Sequence, residues 1–160
     1  MCKYSYQMDT YDSAGKEESV GLHDCNATRV SLNDGVISFY FQDGFYVVQK
    51  NGDDRKVFYT GEAQVEFPLL YPDDVDVTIY IFTKENGKTI REEYEFEDFM
   101  KLINEKMYSL EFLYEFIGYL SFKFDCCLWF DEEPYHKECE IIIAAEKAVC
   151  RWNDMYETED

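Results

Sequence analysis

An α+β fold, mainly antiparallel sheet in meanders and hairpins with one amphipathic helix packed on it, follows from three features of this 160-residue chain. Short β-type runs are separated by Asn-Gly and Asp-Gly turns, the strongest local hairpin signals. Two longer stretches alternate apolar and other residues with period two: Val75, Val77, Ile79 and Ile81, and then Leu120 through Phe130. Helical spacing is sustained in one place only, residues 96–107.

Taken in order, the first twenty residues are polar and lack periodicity, with Gly15-Lys16-Glu17-Glu18 reading as an exposed loop. Ala27–Leu32 and Val36–Phe41 are predicted strands joined by Asn33-Asp34-Gly35. Asp43-Gly44 turns the chain into Phe45–Val48, and Asn51-Gly52 marks the next reversal. Val57–Phe67 reads as one strand ending near Pro68. The alternating stretch up to Phe82 connects through Asn86-Gly87 to Lys88–Tyr94, a second hairpin. In the helix, Phe96, Phe99, Met100, Ile103 and Met107 form one apolar stripe, and Glu97 and Asp98 sit in the first turn, where carboxylates suit the dipole. Leu110–Phe116 fits helix or strand. From Leu120, Phe122, Phe124, Cys126, Leu128 and Phe130 share one face, with Ser121, Lys123, Asp125, Cys127 and Trp129 on the other. Asp131-Glu132-Glu133-Pro134 is a connection, Cys139–Ala145 and Ala148–Trp152 finish the sheet, and the polar tail from Asn153 is expected to fray. A single domain spanning 1–160 is expected, with both ends loosely ordered.

Composition narrows the function. Thirty-four Asp and Glu against fifteen Lys and Arg give a net charge of −19, yet hydrophobic residues make up 46% and aromatics 18%. That apolar content is too high for a disordered acidic tail, so the charge coats a folded object. A field of this sign repels nucleic acid and anionic membrane and attracts basic protein surfaces. Phosphate-binding glycine loops and Lys/Arg clusters are missing, which disfavours nucleotide and direct nucleic-acid binding. No apolar leader or span is visible, so a cytoplasmic protein is expected, and the Asn26-Ala27-Thr28 sequon reads as chance.

Catalytic and metal chemistry find little support. Six cysteines in a reducing compartment default to free buried thiols. Cys25 lies two residues from His23, placing both on one side of a strand, and Cys139 lies three from His136. Cys25, Cys126, Cys127 and Cys139 with His23 or His136 could supply zinc ligands, but no C-x-x-C pair occurs. Cys126 and Cys127 would point to opposite faces. Asp73-Asp74-Val75-Asp76 lacks the glycine and terminal Glu of a calcium loop and reads as a solvated turn. No catalytic residue, metal or cofactor is assigned.

Surface recognition remains. Fourteen tyrosines and thirteen phenylalanines exceed what a small core needs. Acids interleave with Tyr at Asp9-Thr10-Tyr11-Asp12, Glu92-Glu93-Tyr94-Glu95, Tyr114-Glu115, Glu133-Pro134-Tyr135 and Asp154-Met155-Tyr156-Glu157. Tyr contributes area and a directed hydroxyl, and carboxylates can stand where phosphate oxygens would bind. In charge and size the chain resembles the acidic anti-restriction and anti-CRISPR mimics of nucleic acid, a likeness of composition that covers no motif. It implies an inhibitor of a basic nucleic-acid-handling protein, such as a nuclease or CRISPR effector. An immunity protein against a nuclease toxin, a Cys/His metal protein or thiol enzyme, and a small-ligand module are the alternatives. The expected partner-binding residues are Glu92, Glu93, Tyr94, Glu95, Asp131, Glu132, Glu133 and Tyr135.

Overall fold

A computed structural model describes residues 2–10 and 18–158. The motif residues Tyr11 and Asp12 and the loop residues Gly15, Lys16 and Glu17 lie outside them. The strands in chain order are β1 (Tyr4–Asp9), β2 (Glu18–Gly21), β3 (Cys25–Ala27), β4 (Arg29–Asn33), β5 (Val36–Phe41), β6 (Tyr46–Asn51), β7 (Asp54–Thr60) and β8 (Ala63–Pro68). Then come β9 (Val77–Glu85), β10 (Lys88–Tyr94), helix α1 (Phe96–Asn104), β11 (Ser109–Gly118), β12 (Ser121–Trp129), β13 (His136–Ala144), β14 (Lys147–Trp152) and β15 (Met155–Glu157). Among the described residues all pairings are antiparallel, with one short helix on the sheets, so the α+β class holds.

Three sheets result: β1-β14-β8-β5-β4, β10-β9-β13-β12-β11-β3 and β15-β7-β6-β2. Alternation explains how the first two meet. Ile37, Phe39 and Phe41 on β5, and Val65 and Phe67 on β8, turn one way. Phe112 on β11 and Phe122, Phe124 and Leu128 on β12 turn to meet them, all fully buried. The contact is edge-to-face: Phe39 on Phe112 at 5.5 Å, Phe67 on Phe122 at 5.3 Å, and Phe112 on Phe124 at 5.0 Å between ring centroids, the arrangement aromatic quadrupoles favour. Phe45, just before β6, packs on Phe41 and Trp152 and ties the four-stranded sheet to this core. Helix α1 closes one side against β4 and β9 through Phe96, Phe99 and Ile103.

The hairpin turns behave as their residues require. Asp34 and Gly35 have φ of 50° and 74°, and Asn86 and Gly87 have 52° and 76°. Positive φ at both central residues matches the strand twist and admits Asn, Asp and Gly most readily.

Several expectations are corrected. Val57–Phe67 is two strands in different sheets, because the chain turns at Gly61-Glu62. The buried Thr60 hydroxyl holds that corner, accepting the Phe45 N–H at 3.0 Å and donating to the Gly61 carbonyl at 2.8 Å. The helix stops at Asn104, short of Met107. The N–H groups of Glu105 and Lys106 both return to the Lys101 carbonyl, and Met107 is left 80% exposed with φ 62°. The ambiguous stretch is strand β11, with a register shift between Phe112 and Tyr114. The extra residue of such a bulge mimics helical spacing in the sequence. β13 and β14 do not finish one sheet, since the chain crosses to the five-stranded sheet after Ala144.

The ends pair as well. β1 runs along β14 over six residues, with Met8 buried and Tyr4 stacked on Trp152 at 5.9 Å. β15 pairs with β7, where Tyr156 meets Tyr59 and Thr158 donates to the Val57 carbonyl. Apolar and aromatic contacts hold these described residues in strands.

Candidate protein-binding surface

The eight expected binding residues do not form one patch. Glu92 and Tyr94 lie opposite Ile81 and Ile79 on β9, so they turn to the core side of the sheet, and Glu93 lies opposite Tyr80 on the outer face. Tyr94 is half-buried against the core, and burial, then Glu92, pushes its hydroxyl above the usual tyrosine value. Glu95 is the N-cap residue of α1 and lines a groove with Glu97, Asp98, Val75 and Met100. Asp131, Glu132 and Glu133 occupy the exposed loop between β12 and β13, with Tyr135 half exposed at its end. That loop precedes His136, while the Glu95 groove lies by Val77, which pairs with Ile143. Seven residues of β13 separate the two ends, roughly 20 Å or more.

Between them the structure assembles a surface that the sequence reading did not name. The outer face of the six-stranded sheet carries rows set by cross-strand register. One row runs Glu93, Tyr80, Glu140, Asp125 and Tyr114, and the next runs Arg91, Phe82, Glu138, Cys127 and Glu111. Glu140 and Asp125 are directly opposite, and Lys123 sits 3.7 Å and 3.8 Å from their oxygens, offsetting the repulsion of like charges. Trp129, 43% exposed, donates its indole N–H to Glu111 at 3.0 Å and leans on His136. Tyr114 and Phe116 are more than half exposed. The signal was legible, since Asp125 and Trp129 alternate with buried Cys126 and Leu128, and Glu138 and Glu140 flank buried Cys139.

The outward face of the five-stranded sheet is different. Arg151 pairs with Glu66 at 3.1 Å, and Gln64 also donates to Glu66. Arg29 stacks over Tyr40 at 4.0 Å, and Lys147 lies opposite Asp9. Bases and acids there nearly balance. The outer face of the six-stranded sheet has Glu93, Glu111, Asp125, Glu138 and Glu140 against Arg91, Lys123 and Lys84, and the Asp131–Glu133 loop adds three more carboxylates at its end.

No protein-family model, curated protein or solved structure matches this chain.

The cysteines and histidines are placed apart. His23 is exposed, its Nδ1–H directed at the Leu113 carbonyl and its Nε2 3.4 Å from Asp24. Cys25 is buried, because Asp24 takes a positive φ of 64° and reverses the chain between them. The expected shared side is therefore wrong. Burial, then Asp24, pushes the Cys25 thiol up to about 11. Cys126 and Cys139 are opposite each other on the inner face, Cys127 is on the outer one, and burial raises all three. Thiolates, the nucleophilic and metal-binding form, are thus disfavoured near neutrality. Among the described residues no three His, Cys, Asp or Glu converge as a metal site, and no helix is long and apolar enough to cross a membrane.

Glu115 also turns toward the core side. Beyond the bulge in β11 it lies opposite Phe124, and burial raises its carboxyl above the usual range. Folding therefore favours the protonated form. The stability it contributes is full below the ordinary carboxylate value and is lost as pH rises through the higher folded value. Glu115→Gln is expected to raise the melting temperature at pH 8 by a few degrees, with no gain once pH falls below about 4. Thermal melts at the two pH values check this, and a lower melting temperature at pH 8 would contradict it.

Proposed function

We propose that this chain is a small acidic inhibitor that binds and blocks a basic nucleic-acid-handling protein, in the manner of phage anti-CRISPR or anti-restriction mimics of nucleic acid. The observation that carries this reading is the difference between the two outward sheet faces. One balances its charges, and the other combines unbalanced carboxylates with exposed Trp129, Tyr114 and Phe116. Carboxylates two residues apart on one face of a strand, such as Glu138 and Glu140, recur every 6–7 Å or so. With Glu93, Glu111 and Asp125 they place five carboxylates on one face among aromatic side chains. A groove built for phosphates has the complementary sign and tolerates aromatic stacking. Long-range attraction from a −19 chain speeds encounter, while the aromatic residues supply the short-range contact. A cytoplasmic setting agrees with six unbridged thiols. An immunity protein facing a nuclease toxin would use the same physics, and the identity of the captured nuclease separates the two.

The test is binding to a panel of purified nucleases and CRISPR effectors at low and high salt, with duplex DNA as competitor. Affinity should fall as salt rises, and DNA should compete. Joint Glu93→Gln, Glu138→Gln and Glu140→Gln replacement should weaken binding at least about tenfold. Salt-independent binding, or full affinity in the triple variant, would remove this face from the account.

A further inference from the structure

The open edge of the six-stranded sheet says how a partner's backbone would be held. β10 pairs with β9 on one side and ends the sheet on the other. Glu85 and Lys88 close the Asn86-Gly87 turn, and antiparallel pairs alternate between those that exchange hydrogen bonds and those that do not. Ile90, Glu92 and Tyr94 therefore bond inward to β9. The N–H and C=O groups of Thr89, Arg91 and Glu93 point away from the sheet, and none of these has a further backbone partner among the described residues.

The remaining edges are shorter or covered. β3 and β15 have three residues and β2 has four, and β1 touches β2. β4 is blocked by the Asn104 side chain, which donates to the Val30 carbonyl at 2.7 Å and accepts the Val30 N–H at 2.9 Å. β10 offers seven residues without proline or bulge, exposed from Lys88 to Glu93. An unpaired row of this kind is a template for strand addition.

From this we infer that β10 receives an extended segment of the basic partner as a seventh strand, an inference that rests on the proposed function and deepens it. Charge selects the occupant. Glu92, Glu93 and Glu95 gather at one end of the edge, and Arg91 is engaged over the Tyr80 ring at 4.4 Å. A Lys or Arg opposite Glu93 lies on the outer face in the row that continues to Glu140. Partner residues at the alternate positions pass to the other side, which carries Glu92, half-buried Tyr94 and, three positions from Glu93, Ile90, 43% exposed. The fitting segment therefore alternates basic and apolar residues. A second copy of this chain could pair the same edge only by bringing two −19 charges together.

An alternating Lys-Val octapeptide is the probe, with a Lys-Pro octapeptide of equal charge as control, because proline has no amide hydrogen to complete a ladder. Amide exchange is followed by NMR on the full chain at low salt. Thr89, Arg91 and Glu93 should exchange about tenfold more slowly with Lys-Val and remain unprotected with Lys-Pro. Thr89→Pro, which leaves the net charge unchanged and removes an outward N–H, should abolish protection while the β9–β10 cross-strand signals persist. Shifts confined to the outer face, around Trp129 and Tyr114, without edge protection would overturn strand addition and keep the recognition reading. No shift with either peptide would sink both. Protection that appears without peptide and grows with protein concentration would assign the edge to self-pairing and overturn the proposal.

Discussion

Replacing Phe112 with Ala is expected to destabilise the fold by about 3–5 kcal/mol. The ring is 2% exposed and lies within 5.0–5.5 Å, centroid to centroid, of Phe124, Phe41 and Phe39. It is therefore a contact through which the five- and six-stranded sheets meet. Truncation removes apolar burial and leaves a cavity that three other rings, themselves fixed by neighbours, cannot collapse into. A domain of this size has a total stability of about 5–15 kcal/mol, so the loss is a large share of it. Phe112→Leu keeps most of the volume and should cost much less, under about 1.5–2 kcal/mol. Urea unfolding of both variants at equal m-value is the measurement. Comparable midpoints for Phe112→Ala and the parent chain would show that the sheets do not depend on this ring.

Gly44→Ala should be nearly as damaging, for a different reason. Gly44 has φ +78°, and a Cβ there would sit 2.3 Å from the Thr60 Oγ1 and 2.4 Å from the carbonyl oxygens of Thr60 and Gly61. The left-handed backbone alone costs an L residue roughly 1–2 kcal/mol. Overpacking against backbone carbonyls adds about 1–3 kcal/mol more. The same Thr60 hydroxyl holds the Phe45 N–H, so displacing it also leaves a buried donor unpaired. Gly52 makes a clean control, with φ +65° and nothing within 4 Å of an added Cβ. Gly52→Ala should show only the backbone part. If denaturation midpoints for the two alanine variants coincide, the close approach at Gly44 has no energetic weight.

The two acidic runs chosen from sequence show where one-dimensional reading stops. Density of charge along the chain picked Glu92–Glu95 and Asp131–Glu133, yet neighbours in a strand face opposite ways. Glu92 and Glu93 illustrate this, one beside Ile81 and the other beside Tyr80. Conversely, Glu93, Glu140 and Asp125 are far apart in sequence and share one row. Alternation told which residues of β12 shared a face, but which strand lay beside β12 required the sheet order. The Tyr94 anchor likewise looked available from its acidic neighbours, yet it packs against the core.

Local rules were enough wherever the deciding interactions were local. Turn residues at Asp34-Gly35 and Asn86-Gly87, the period-two runs of β9 and β12, and the start of α1 all depend on neighbours within a few positions, and the net charge of −19 is independent of fold. Tertiary contacts decided the rest. Thr60 bonding back to Phe45 splits one apparent strand into two, and Trp152 and Tyr59 pack on Tyr4 and Tyr156. Each of these rests on groups distant in sequence, so no window along the chain contains both partners. The acidic, aromatic face arises in the same way, because lateral strand order alone sets which outward side chains become neighbours.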